Sequence, residues 1–285
     1  MSNPLSIWWS ILCAATVLNA GLWILSARSI GRPGPQLTAP DHALRRQLLW
    51  LSAVYVLGCG FRSILPMSDI PRLCLLDTPI SRIFVGRSVA TIAELCFAAQ
   101  WALLLRHAST STGDRFAMLV SRTLVPLIAI AEASSWAAVL TTNYLLHAVE
   151  NSLWTLAAAL ILVAITLLRP SLDAAGKRLA AGATIFSATY IAYMAGADVP
   201  MWVARWQAEA GGLHAGISVV DGLHTALQHC VVSREWAAWR DDVPWLSLYF
   251  TLAVWISIAL AHVPPLRAAA HPQRGRERAP VPTDR

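Results

Sequence analysis

The chain has 285 residues, of which 56% are hydrophobic and 13% are charged, and its mean hydropathy is +0.53. About a quarter of the residues are charged in a typical soluble domain, so this composition excludes a soluble globular protein and indicates an integral membrane protein. The formal net charge of +6 does not indicate nucleic-acid binding, because the arginines lie between apolar segments and form no stripe. The expected partner is therefore the lipid bilayer.

Seven apolar segments are long enough to cross a hydrocarbon core, which requires about 20 residues. In chain order they are 5–27, 48–65, 80–105, 116–140, 143–168, 179–204 and 245–263. Only Thr141 and Thr142 separate the fourth segment from the fifth, which predicts an antiparallel helical hairpin. We therefore predict an all-α, polytopic membrane bundle of seven transmembrane helices within residues 1–263. The Arg- and Pro-rich residues 264–285 are predicted to form a disordered cytoplasmic tail.

A long segment, 205–244, separates the last two predicted spans and is apolar in much of its length. Tryptophan prefers the membrane–water interface, and five tryptophans lie in or beside this segment: Trp202, Trp206, Trp236, Trp239 and Trp245. This pattern predicts an interfacial helix that covers the outer end of the bundle.

The distribution of Lys and Arg predicts the orientation. Fourteen of them fall in the segments 28–46, 106–116 and 169–178 and in the tail, whereas five fall in the loops on the opposite side. Cytoplasmic loops carry the excess of positive charge, which places the N-terminus outside and the C-terminus in the cytoplasm. We expect the protein in a bacterial inner membrane.

Ionisable side chains inside the predicted spans are costly to insert, so each is a functional candidate. Seven of them are Arg62, Arg87, Glu94, Glu132, His147, Glu150 and Asp198. At 1.5 Å per residue, these seven fall in the outer half of the bundle or near its midplane, whereas the inner halves hold Arg122 and little else. Their helical spacing places Arg87 with Glu94, and His147 with Glu150, on shared helical faces. Such faces must point into the bundle, since lipid offers no polar partner.

Two interpretations of these residues are open. In the first, they form a structural network in which Arg87 pairs with Glu94 or Glu132 and Arg62 pairs with Asp198. In the second, they form an active site, where Glu94 or Glu132 acts as general acid or base beside Arg87.

A metal site is a further prediction. Imidazole and carboxylate are ligands of zinc and non-haem iron, and His147, Glu150, His224 and His229 supply both. His224 and His229 are separated by about 140° on a helix, so one helical face cannot present both. Cys74 and Cys230 both fall in outer loops, and the sequence leaves their pairing open.

The predicted architecture resembles that of the alkaline ceramidase-like membrane hydrolases. The shared features are seven spans, an outside N-terminus and buried His, Asp and Glu. Those proteins carry a serine four residues before a histidine and a pair of histidines four apart. Here Asn143 lies four residues before His147, and Gln228 lies four residues after His224. The resemblance therefore implies an architecture and assigns no residue a role.

The sequence predicts a membrane-embedded enzyme, a metal-dependent hydrolase or oxidoreductase, that acts on a lipid or another apolar small molecule from the outer face. The alternative is a proton- or cation-coupled transporter, or a membrane protein that binds a small molecule without catalysis. A purely structural or assembly protein is the third class. The sequence predicts no oligomeric state.

Overall fold

The computed structural model describes residues 3–31, 38–210 and 216–264. Seven helices in this part of the chain are long and apolar enough to cross a membrane. The protein is therefore an integral membrane protein with an all-α bundle of seven spans, as the sequence predicts. The predicted disordered tail, apart from Pro264, lies outside the described residues.

The first four spans are single helices: α1 (Pro4–Ile30), α2 (Ala39–Ile64), α3 (Ile83–Thr112) and α4 (Arg115–Thr141). The fifth span is α5 (Tyr144–Leu168), extended by one 3₁₀ turn (Arg169–Ser171). The sixth span comprises α6 (Ala174–Tyr193), a π-helical turn (Met194–Asp198) and α7 (Val199–Ala210). Two short helices follow, α8 (Val219–Gln228) and α9 (Trp236–Trp239), and the seventh span consists of α10 (Val243–Phe250) and α11 (Leu252–Leu260).

Tight turns join the third, fourth and fifth spans. Gly113 ends α3 at φ +77°, a conformation that glycine adopts without strain. Asp114 then begins α4 by accepting a hydrogen bond from the backbone N–H of Ala117 at 2.8 Å. Thr142 ends α4, and Asn143 begins α5 by accepting a hydrogen bond from the N–H of Leu145. The predicted hairpin of the fourth and fifth spans is confirmed.

The seventh span is broken near its middle, at Thr251, whose φ and ψ are −118° and −76°. Asn19 of α1 is buried at the break. Its amide donates to the carbonyl of Phe250 at 2.9 Å, and its oxygen accepts from the indole of Trp255 at 2.9 Å. The buried amide thus satisfies a backbone carbonyl at the break, which lipid could not do.

The sixth span lies at the edge of the bundle. It packs against α5 along its length, and between described residues no comparable backbone packing joins it to the seventh span. The π-helical turn Met194–Asp198 interrupts this span, as Thr251 interrupts the seventh. Turns of this kind are often found at functional sites.

A small three-stranded sheet covers one end of the bundle. Strand β1 (Met67–Ser68) pairs antiparallel with β2 (Leu73–Cys74), and β2 pairs parallel with β3 (Val231–Val232). A disulfide between Cys74 and Cys230 links the same segments across 156 residues. This resolves the pairing that the sequence left open.

Helix α8 lies on the same end of the bundle. Gly222 contacts the backbone of α4 so closely that an added Cβ would lie 1.7 Å from the carbonyl oxygen of Leu140. Arg72, whose pKa is lowered by burial, donates to the carbonyl of Val139 and to the hydroxyl of Thr225. The other face of α8 exposes Val219, Val220, Leu223 and Leu227. A helix that covers this end of the bundle is as predicted, and it takes up 10 residues of the segment 205–244.

Candidate functional site

The centre of the site is Arg87 on α3, which is only 4% exposed. Its Nη2 lies 3.4 Å from a carboxylate oxygen of Glu94 and 3.4 Å from one of Glu150, and it also pairs with Glu132. Its Nη1 lies 3.5 Å from Asp69, which precedes α3 in the loop between β1 and β2. Four carboxylates from three spans and a loop therefore converge on one guanidinium group.

Further hydrogen bonds fix two of these carboxylates. Glu132 accepts from the hydroxyl of Thr91 at 2.6 Å, and that hydroxyl accepts from the indole of Trp136 at 3.0 Å. Glu94 accepts from the hydroxyl of Tyr249 on α10 at 2.8 Å. The cluster thereby connects the third and fourth spans to the seventh.

His147 and Glu150 form a close pair on the first turns of α5. Nδ1 of His147 lies 2.7 Å from Oε2 of Glu150, while the other oxygen of Glu150 faces Arg87. The imidazole ring packs on Trp202 with ring centroids 4.7 Å apart. Its Nε2 is buried and has no hydrogen-bond partner among the described residues. Since Glu150 occupies Nδ1, Nε2 is the ring nitrogen that is free to bind a ligand.

A cavity of about 330 Å³ opens beside this cluster. Its volume lies at the lower end of the range of small-molecule sites, roughly 300–1,000 Å³. Arg87, Glu94, His147 and Glu150 line its polar end. The rest of the wall is mainly aromatic, from Tyr55, Phe97, Trp101, Trp154, Phe186, Tyr190, Tyr193, Trp202, Trp245 and Tyr249.

The cavity is elongated parallel to the spans. Its lining extends along α3 from Arg87 to Trp101 and along α5 from His147 to Ile161. Each stretch covers roughly 21 Å at 1.5 Å per residue. One end of the cavity is therefore charged and the other is apolar.

Acidic groups also lie at the charged end. Asp198, in the π-helical turn, accepts a hydrogen bond from Asn151. Asp242, just before the seventh span, accepts from Ser68 at 2.8 Å and lies 3.5 Å from Arg205. Burial raises the pKa of Asp242 above its ordinary value. This end of the cavity is consequently rich in carboxylates.

The structure brings together five of the seven site residues predicted from the sequence. Arg87, Glu94, His147 and Glu150 line the cavity, and Glu132 lies directly behind Arg87. The structural interpretation predicted that Arg87 pairs with Glu94 or Glu132, and Arg87 contacts both. The predicted pair of Arg62 with Asp198 is wrong, because Arg62 lies 3.9 Å from Asp69 in the loop between β1 and β2, and Asp198 binds Asn151.

His224 and His229 do not join the other predicted metal ligands. Both are exposed, and neither lines the cavity. Helix α8 turns Gly222 and Ala226 toward the bundle, and a residue two positions after Gly222 lies about 200° around the helix. His224 therefore faces away, and His229 follows the helix in extended backbone. Glu94, Glu132 and Glu150 do approach one another, with oxygens within 4.8 Å.

Sequence reasoning did not find Asp69 and Tyr249. Asp69 lies in a loop, so it lacked the signal of a charge inside a span. Tyr249 resembles an ordinary packing residue in an apolar segment, and only its hydroxyl contact with Glu94 reveals its position in the site. The aromatic cavity wall was not predicted either, because its residues come from several spans and meet only when the helices pack together.

No known protein family, curated protein or solved structure matches this chain. A buried imidazole with a carboxylate on one nitrogen and a free second nitrogen can transfer protons. In this protein such an imidazole lies beside a largely aromatic cavity, within the membrane-spanning part of the chain.

Proposed function

We propose that this protein is a membrane-embedded enzyme that uses His147 as a general base on a lipid or another apolar substrate. The observation that carries the proposal is the buried pair of His147 and Glu150, two residues that line the cavity, in which Nε2 of His147 has no hydrogen-bond partner among the described residues. A carboxylate at Nδ1 holds the proton on that nitrogen and leaves the lone pair on Nε2. The base is thus held in one tautomer before any substrate binds.

The reaction class that fits this arrangement is hydrolysis of an ester or amide. Nε2 accepts a proton from water as the water oxygen bonds to the carbonyl carbon. The imidazolium then returns that proton to the leaving oxygen or nitrogen as the carbon–heteroatom bond breaks. Arg87 contacts the other oxygen of Glu150 and thereby fixes the carboxylate that orients the base.

The two remaining predicted acids differ in position. Glu94 lines the cavity and is the candidate for a second acid or base. Glu132 does not line the cavity. It pairs with Arg87 and accepts a hydrogen bond from Thr91. We assign Glu132 the role of a positioning residue that fixes the guanidinium group.

The predicted zinc or iron stays a prediction. Among the described residues, the positive charge between Glu94, Glu132 and Glu150 is Nη2 of Arg87. That nitrogen takes the place a cation would need, so the proposal assigns no step to a metal ion. Elemental analysis of the purified protein tests this point.

Substitution of His147 tests the proposed function. Protein in nanodiscs with a total lipid extract is followed over time by mass spectrometry of the lipids. We expect product with the native chain and a rate at least about 10²-fold lower for His147→Gln, because general-base catalysis contributes that much. His107→Gln is the matched control, since His107 also pairs with a carboxylate, Asp41 at 3.2 Å, away from the cavity. Equal rates for the native chain and His147→Gln, or no product at all, would refute the proposal.

A proton- or cation-coupled transporter is the second candidate. Two guanidinium groups, of Arg62 and Arg87, face four carboxylates, and buried charge without compensation is costly. The surplus favours uptake of a proton or another cation, and the broken seventh span is a feature of transporters. Ion flux in proteoliposomes without chemical change of any lipid would favour this candidate over the enzyme.

We also propose that the cavity end with Asp69 faces the outside of a bacterial inner membrane. The charge asymmetry of fourteen to five supports this orientation. So does the disulfide of Cys74 and Cys230 at that end, since disulfides persist in oxidising compartments. Reporter fusions after Lys177 and after Pro264 should both report a cytoplasmic location. A periplasmic signal at either position contradicts the proposed orientation.

A further inference from the structure

The edge of the cavity lies between the sixth and seventh spans. Thr189 on the sixth span and Leu248 and Leu252 on the seventh line the cavity, yet all three are exposed. They lie within helices that cross the membrane, so a bilayer would be the medium outside them. Because backbone packing between these two spans is sparse among the described residues, the cavity reaches lipid through this gap.

Aromatic side chains bridge the gap near its charged end. Tyr193 of α6 stacks on Trp245 of α10, with centroids 6.0 Å apart and planes inclined by 7°. Tyr190 contacts the same indole at 6.4 Å. The π-helical turn begins directly after Tyr193, and the break at Thr251 lies one to two turns after Trp245. Both sides of the bridge are thus attached to irregular helix, which bends more readily than a regular one.

We propose that one lipid chain enters the cavity sideways through this gap, and that Tyr193 and Trp245 form the gate. The inference rests on the proposed function, because it identifies the substrate class of the same site. The apolar chain lies along α3 and α5 toward Trp101 and Ile161, and the head group lies at His147. The lining extends roughly 21 Å, which exceeds the roughly 15 Å of hydrocarbon in one leaflet. An extended chain therefore fits along the cavity.

The charges at the polar end define the head group. Carboxylates outnumber guanidinium groups there, and an anionic head such as a phosphate would face like charges. The site therefore selects a neutral or positively charged head that carries hydroxyl, ester or amide groups. His147, which lines that end of the cavity, is the side chain that such a head contacts.

Photolabelling tests chain binding and the route of entry together. The probe is a monoacylglycerol with a diazirine near the methyl end of its chain, in nanodiscs with the full-length protein. We expect mass spectrometry to locate the label around Trp101 and Ile161, on the inward sides of α3 and α5. An unlabelled monoacylglycerol should compete, whereas a lysophosphatidate should compete poorly. A label confined to lipid-facing residues would overturn the proposal.

Blocking the gap tests the entrance. Thr189→Trp places a large ring at the edge of the cavity, and we expect loss of the deep label. Ala188→Trp is the matched control, because Ala188 is exposed on the same helix but does not line the cavity. Leu252→Trp blocks the gap from the seventh span and replaces Thr189→Trp if that variant does not fold. Deep labelling that persists in both blocking variants would refute sideways entry.

The labelling result is independent of catalysis. His147→Gln should retain the deep label, since the residues around the chain end are unchanged. Deep labelling together with undiminished turnover in His147→Gln would refute the proposed function and leave the chain site intact. If the native chain shows no deep label but His147→Gln loses turnover as expected, the chain site is refuted and the proposed function is not.

Discussion

Replacement of Arg87 by methionine is expected to destabilise the protein by about 3–5 kcal/mol, the usual cost of removing one partner from a buried ion pair. Methionine fills much of the volume of the arginine side chain but leaves Glu94, Glu132 and Glu150 close together without a counter-charge. Their mutual repulsion and the lost hydrogen bonds act in the same direction. The free energy of unfolding, measured in mixed micelles by titration with a denaturing detergent, quantifies the effect.

Two variants separate the charge effect from general disruption of α3. Arg82→Met removes a partly exposed arginine whose partner, Asp77, is 67% exposed, so a change below about 1 kcal/mol is expected. Arg87→Met combined with Glu132→Gln removes one of the uncompensated charges and should recover part of the stability. If Arg87→Met changes stability no more than Arg82→Met, the cluster does not hold the spans together.

The spans were predictable from the sequence because bilayer thickness requires a length and a composition that few other structures share. The interruptions within them were not. Nothing in the residues around Thr251 requires a break, and Asn19, which satisfies the freed carbonyl, lies more than two hundred residues earlier in the chain. The π-helical turn differs, because Pro200 follows it in the same span and has no backbone N–H to donate to the preceding turn. The break at Thr251 depends on contacts between spans.

The charged end of the site was predictable for a related reason. A charge inside a span must face the protein, so depth and helical spacing were sufficient to bring His147, Glu150 and Arg87 together. The same reasoning fails outside the spans, where polar residues have water as an alternative partner. It therefore assigned His224 to the site, although the close contact of Gly222 with Leu140 turns that histidine away.

The contacts of Glu150 make its replacement by glutamine a sharp test of the catalytic pair. Oε1 of Glu150 faces a guanidinium nitrogen of Arg87, which only donates hydrogen bonds. An amide at this position must therefore turn its oxygen to Arg87 and its NH₂ group to Nδ1 of His147. Nδ1 would then accept a hydrogen bond, and the proton of the neutral ring would move to Nε2.

In this tautomer the lone pair is on Nδ1 and accepts a hydrogen bond from the introduced amide. Nε2 carries a proton, so His147 can no longer accept one from water in the cavity. We expect Glu150→Gln to lower turnover by roughly 10³–10⁴-fold, the size of effect that a wrong histidine tautomer produces. The double variant with His147→Gln should be no slower than the slower single variant, because the two residues act as a unit. Deep photolabelling should persist in Glu150→Gln, which excludes loss of the fold as the cause. If turnover of Glu150→Gln stays within about tenfold of the native chain, Glu150 does not orient His147, because a general base accelerates the reaction only when it is correctly oriented.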